Sequence, residues 1–148
     1  MIIAVTGHRP EDVKVSDKYL EDLFLETFLE AGPEKVIVGM AAGADLAAGY
    51  AAIGGCFDVV AAVPWKGHKP RIGDETRYDF ILQFASEIVY IDESEDFPGN
   101  WIYPKRNHYM VDNATHLLAY YNGQPWGGTC ECVEYAKGKI PMRNLYGK

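Results

Sequence analysis

Ile2-Ile3-Ala4-Val5-Thr6-Gly7-His8-Arg9-Pro10 runs from four apolar residues into a threonine, a glycine and two side chains suited to binding anions. An apolar run of strand length that passes directly into such a turn is the pattern of a buried parallel strand followed by a ligand-facing loop. Similar runs recur at 36–38, 59–63, 88–91 and 117–121. The segments between them carry helical spacing, and strands that are apolar throughout and separated by helices predict an α/β, three-layer domain with a mainly parallel sheet.

Working outward from the first strand, Ser16 is a suitable N-cap, Leu20, Leu23, Phe24 and Phe28 share one stripe, and Gly32-Pro33 stops the helix. A second helix is expected over 44–53, broken by Gly54-Gly55, and a third over 74–85. Pro104 fits the first turn of a fourth, which carries Arg106, Asn107, Tyr109 and Asp112. A fifth opens near Gly128 and closes at Gly138, and the tail over 140–146 reads as a short edge strand. There are no internal repeats and no interdomain linker, so residues 1–148 are read as one domain.

Composition narrows the partners. Hydrophobic residues make up 48% and charged residues 24%, close to globular averages. A net charge of −7 and a pI near 5.0 disfavour a nucleic-acid partner, which is held by neutralising runs of phosphate. No apolar run approaches a membrane span, and the first residues lack the basic segment of a secretory signal, so no membrane partner and a cytoplasmic location are expected. Cys56, Cys130 and Cys132 are an odd number, and the Cys-x-Cys pair lacks a second ligand pair, so reduced thiols, no metal and no cofactor are expected.

Polar and glycine residues gather where strands end. Thr6-Gly7-His8-Arg9 follows the first, Gly39-Met40-Ala41-Ala42-Gly43-Ala44-Asp45 the second, and residues 123–129 the fifth. Open α/β sheets bind ligands at this rim. Gly7 lets the backbone approach a ligand, His8 donates or accepts a hydrogen bond, and Arg9 offers a planar fork to phosphate or carboxylate. Gly39 and Gly43 allow close packing or an anion nest. Asp45 either complements a helix dipole or accepts hydrogen bonds from a ribose hydroxyl or a base. Gly127-Gly128-Thr129 is a phosphate-cradle candidate, although neither a Walker loop nor a G-x-G-x-x-G fingerprint is present. Glu131 and Glu134 share a face of the last helix, as acid–base candidates or as carboxylates near its positive end.

These stretches, with Pro64-Trp65, Arg106-Asn107-His108-Tyr109-Met110-Val111-Asp112 and Tyr135-Ala136, resemble the SLOG superfamily, especially its small YpsA-like branch. The DNA-processing protein A domain and the Lonely Guy phosphoribohydrolases are more distant relatives. The resemblance covers nearly the whole chain and implies a Rossmann-like fold with a pocket suited to nucleotides or their derivatives. It carries over Thr6, Gly7, Arg9, Gly39, Gly43, Asp45, Arg106, Asn107, Asp112, Gly128 and Thr129 as pocket positions, beside which His8, Trp65 and Gly127 complete the candidate ligand-binding set. The hydrolase pattern Gly-Gly-x-Gly-Thr-x-x-Glu departs here, with Cys130 in place of Gly and Glu131 in place of Thr. Only Glu134 matches its acid. After Pro64, YpsA-like proteins tend to carry Phe and then Gln, whereas this chain has Trp65 followed by Lys66-Gly67-His68.

The expected function is binding or sensing of a nucleotide-type, phosphate-bearing small molecule, with Arg9 and the Gly128-Thr129 helix start on the phosphate and Trp65 or a tyrosine stacked on the base. The alternative is N-glycosidic cleavage of a nucleoside monophosphate, with Glu134 as the catalytic carboxylate. Single-stranded nucleic acid is a weaker third reading, kept by a local track of Lys66, His68, Lys69, Arg71 and Arg77. A homo-oligomer is expected from the behaviour of relatives of this fold.

Overall fold

The computed structural model describes residues 1–147. Its elements run β1 (Ile2–Gly7), α1 (Pro10–Val13), α2 (Asp17–Ala31), β2 (Lys35–Val38), α3 (Ala44–Gly54), β3 (Asp58–Val63), α4 (Glu75–Phe84), β4 (Glu87–Tyr90), α5 (Ile102–Asp112), β5 (His116–Tyr120), α6 (Gly128–Ala136) and β6 (Met142–Asn144). The strands form one sheet in the order β4-β3-β2-β1-β5-β6, with every neighbouring pair parallel. This is an α/β Rossmann-like fold.

Each central strand buries both faces. Ile3 and Val5 of β1, Val36 and Val38 of β2, and Leu118 and Tyr120 of β5 join the core beneath α2, α3 and α4. Ala4, Ile37, Leu117 and Ala119 join the opposite core, beneath α5 and α6. This two-sided burial accounts for the near-continuous apolar runs. The chain leaves β1 toward β2, β3 and β4 on one side and returns to β5 and β6 on the other. The strand order therefore reverses between β1 and β5, the place where open α/β sheets leave a crevice.

Local chemistry sets the helix ends. The Ser16 side chain accepts a hydrogen bond from the Tyr19 N–H at 3.0 Å, and Gly32 ends α2 with φ of 62°. Leu20, Phe24 and Phe28 are fully buried along its inner stripe. The one-turn helix α1 was not expected; Pro10 at its first position and Glu11 and Asp12 behind it supply the start signals in what reads as loop. The tail does add an edge strand, shorter than its 140–146 reading, with Leu117, Leu118 and Ala119 pairing Met142, Arg143 and Asn144.

Candidate functional site

The carboxyl ends of β1, β2 and β5 converge on a cleft with two chambers. The first, of about 300 Å³, is walled by Thr6, His8 and Arg9 from β1 and its loop, Asp45 from α3, Arg106 and Asn107 from α5, and residues 127–129 at the start of α6. The second, of about 720 Å³, adds Met40, Leu46, Trp65, His68, Tyr103 and Glu131. Arg9, Ala41, Ala42, Arg106, Gly127 and Gly128 border both, so the two chambers adjoin.

Close packing builds the first chamber. A Cβ on Gly7 would lie 2.5 Å from the Ala44 Cβ, and one on Gly43 would lie 2.5 Å from the His8 carbonyl oxygen. Gly43 also has φ of 88°, a conformation that side-chain-bearing residues rarely adopt. The loop after β1 is thereby pressed onto the start of α3, and the Ala44 N–H donates to the His8 carbonyl at 3.2 Å. Gly127, with φ of 96°, turns the chain into α6, whose first intrahelical bond runs from the Glu131 N–H to the Gly127 carbonyl. The N–H groups ahead of it have no helical partner and form the positive end of the helix dipole.

Charge is concentrated and mostly held in place. The buried Arg106 donates from Nη1 to the Gly39 carbonyl at 3.1 Å and from Nε and Nη2 to Asn107 Oδ1 at 3.3 and 3.1 Å. Asn107 Nδ2 in turn donates to the Gly128 carbonyl and to Glu131 Oε1, tying α5 to α6. Asp45 Oδ2 accepts from the Ala41 N–H at 3.3 Å. Burial pushes the Asp45 carboxyl up to about 6, against the opposing pull of the Arg106 charge and of backbone N–H groups. Arg9 differs from Arg106. Its side chain makes no ion pair or hydrogen bond among the described residues and lies free at the junction of the chambers.

Both histidines of the cleft are held neutral. Burial lowers the basicity of His8, opposed by Asn122 and by the charge of Asp12, and no described residue partners its Nε2. Burial and the Arg106 charge bring His68 down to about 4, and its Nδ1 lies 2.9 Å from the Tyr78 hydroxyl. Trp65 stands edge-on to His68 and packs near Phe97 and Tyr103, with ring centroids 4.7, 5.2 and 6.2 Å away. The second chamber therefore has an aromatic wall.

Of the candidate residues, the structure brings Thr6, Gly7, His8, Arg9, Asp45, Arg106, Asn107, Gly127, Gly128 and Thr129 to the first chamber and Trp65 to the second. Gly39 and Gly43 sit behind the wall as packing positions. Asp112 lies at the far end of α5, where its Oδ1 accepts from the Tyr135 hydroxyl at 2.8 Å. Glu134 borders neither chamber and pairs with Lys137 at 2.8 Å. Glu131 is the carboxylate of α6 that reaches the cleft, its oxygens 3.2 Å from Asn107 Nδ2 and 2.7 Å from His108 Nε2. Residue reading missed Asp12, Gln124, Leu46 and Tyr103 as lining residues. Gln124 carried a usable signal, since it belongs to the loop after β5. Cys132 is buried, with its thiol pushed up to about 12, and no described group of His, Cys, Asp and Glu is arranged to hold a metal ion. No helix among the described residues is long and apolar enough to cross a membrane.

No family model matches the chain. A curated relative, the uncharacterized SPbeta prophage-derived protein YoqJ of Bacillus subtilis (strain 168), is 28% identical over 149 residues, covering 86% of this chain and 83% of that protein. DNA processing protein A is similar in structure. For the Streptococcus pneumoniae protein the TM-score is 0.63 at 21% identity, covering 91% of this chain and 46% of that one. For the Helicobacter pylori protein, whose structure describes a single-stranded DNA binding mode, the values are 0.71, 17%, 98% and 66%. This chain thus spans about half to two thirds of those DNA-processing structures. The molybdenum cofactor binding protein of Rippkaea orientalis gives a TM-score of 0.63 at 16% identity, over 95% of this chain and 73% of that one. At such identities the likeness shows a shared fold.

Proposed function

We propose, from the premise that this chain has the SLOG-type Rossmann fold of its structural neighbours, that it binds a nucleotide or nucleotide-derived, phosphate-bearing small molecule in the two-chamber cleft. The observation that carries this reading is the meeting of the unpaired Arg9 with the open N-terminus of α6 on one chamber wall. A helix start with glycine at its entry and an unpaired arginine bordering the same chamber suit a phosphate on physical grounds. The adjoining chamber, walled by Trp65 and Tyr103, suits a planar base. A small-molecule ligand is supported by the similar fold of the molybdenum cofactor binding protein of Rippkaea orientalis.

The alternative of N-glycosidic cleavage has less support. Glu134, the carboxylate that matches the hydrolase pattern, stands outside both chambers, and both oxygens of Glu131 are engaged by Asn107 and His108. Calorimetry with a panel of nucleotides tests the binding reading. Arg9→Ala should weaken binding at least about tenfold, the loss of a charge-assisted contact, with the unfolding transition unchanged. Full affinity in Arg9→Ala, or no binding of any nucleotide to folded wild-type protein, would sink it.

A further inference from the structure

We propose that Trp126 is a lid over the first chamber: when a nucleotide phosphate binds there, the loop 123–127 folds inward and the indole covers the phosphate, its Nε1–H donating to a phosphate oxygen. This rests on the phosphate-binding reading of Arg9 and α6. Trp126 borders that chamber, yet it is 67% exposed. A large aromatic side chain left in water at the mouth of a cleft forgoes burial that a seated ligand would restore.

The other two tryptophans are already engaged. Trp65 packs near His68, Phe97 and Tyr103. Trp101 donates from Nε1 to the Pro98 carbonyl at 2.8 Å, and the Lys105 ammonium lies over its ring. The carbonyl of Trp126 accepts from Gln124 Nε2 at 3.1 Å, while its ring meets no other ring and its Nε1–H makes no hydrogen bond among the described residues. An indole N–H only donates, and a phosphate oxygen only accepts, so the two complement each other. The loop that carries Trp126 is held from its own stem. The Gln124 N–H donates to Asn122 Oδ1 at 3.0 Å, and the Tyr121 hydroxyl donates to the Gln124 carbonyl at 2.5 Å. Among the described residues, no hydrogen bond of 123–126 crosses the cleft to α1, α3 or α5. Gly123 and Gly127, with φ of 90° and 96°, stand at the two ends of the loop and supply the backbone freedom of a hinge.

Fluorine NMR of the fluorotryptophan-labelled full chain, titrated with AMP, ADP, ATP and GMP, tests this. Trp126→Phe assigns the Trp126 signal by its loss. At saturation that signal should shift and become shielded from a soluble paramagnetic quencher. Because Trp126 is exposed, Trp126→Ala should leave the unfolding transition unchanged. In stopped-flow displacement it should release the bound nucleotide at least about tenfold faster, with the association rate little altered. Trp126→Phe, which keeps a ring and lacks the donor, should fall between. A Trp126 signal equally accessible with and without saturating nucleotide, or an unchanged release rate in Trp126→Ala, overturns the inference. In either case calorimetry that still shows the nucleotide bound leaves the phosphate reading standing. If none of the four nucleotides binds, both fall.

Discussion

Arg9 and Arg106 show how little residue type alone decides. Both arginines border the cleft, yet Arg106 is buried on α5 and spends its donors on Gly39 and Asn107, while Arg9 makes no ion pair or hydrogen bond among the described residues. The motif reading grouped them together, because sequence carries no record of which guanidinium is already satisfied. Asp45 supports a prediction at this scale. Its folded pKa, near 6, lies above the unfolded value of about 3.8, so its contribution is fully present below the unfolded value and is lost as pH rises through the folded one. Relative to Asp45→Asn, the wild type should therefore lose about 2–3 kcal/mol of stability between pH 4 and pH 6 in urea unfolding. The lowered His8 and His68 act in the opposite sense, gaining stability as pH rises toward 6.5, and are common to both proteins, so they cancel in the difference. A difference flat across that range would mean that Asp45 is not held as described.

Among the elements, α2 was the most legible. Its cap, stripe and stop are local signals at Ser16, Phe24 and Gly32, and the structure uses each of them. Phe24→Ala should destabilise the fold by about 3–5 kcal/mol and Ser16→Ala by about 1 kcal/mol, measured as shifts of the unfolding midpoint at unchanged slope. Equal effects would argue against the burial assigned to Phe24. Helix α1 was not legible, because one turn is too short to show periodicity. Its place is set by long-range ties that no local pattern contains: the Gly43 contact behind the preceding loop and the ion pair of Glu11 with Arg71.

The same distant pairing changes the reading of the molecule's charge. The sequence places Lys66, His68, Lys69, Arg71 and Arg77 close together as a basic track, but Arg71 pairs with Glu11 and Asp74, Arg77 pairs with Asp17 and Glu21, and His68 is neutral near pH 7. Two lysines of the track remain. With a net charge of −7, a gel-shift assay at low salt should retain no oligo-dT strand; a retained, salt-sensitive strand would restore the nucleic-acid reading. The sequence by itself determined the α/β class, most element boundaries and the three strand-end loops, because strand burial, helix caps and glycine turns are encoded within a few residues of where they act. Only the tertiary structure decided that β1 lies between β2 and β5, that two chambers meet at Arg9, and that Asp112 and Glu134 face away while Glu131 faces in. Those outcomes depend on strand order and on which face of a helix meets its neighbour, and such contacts join residues far apart in the chain.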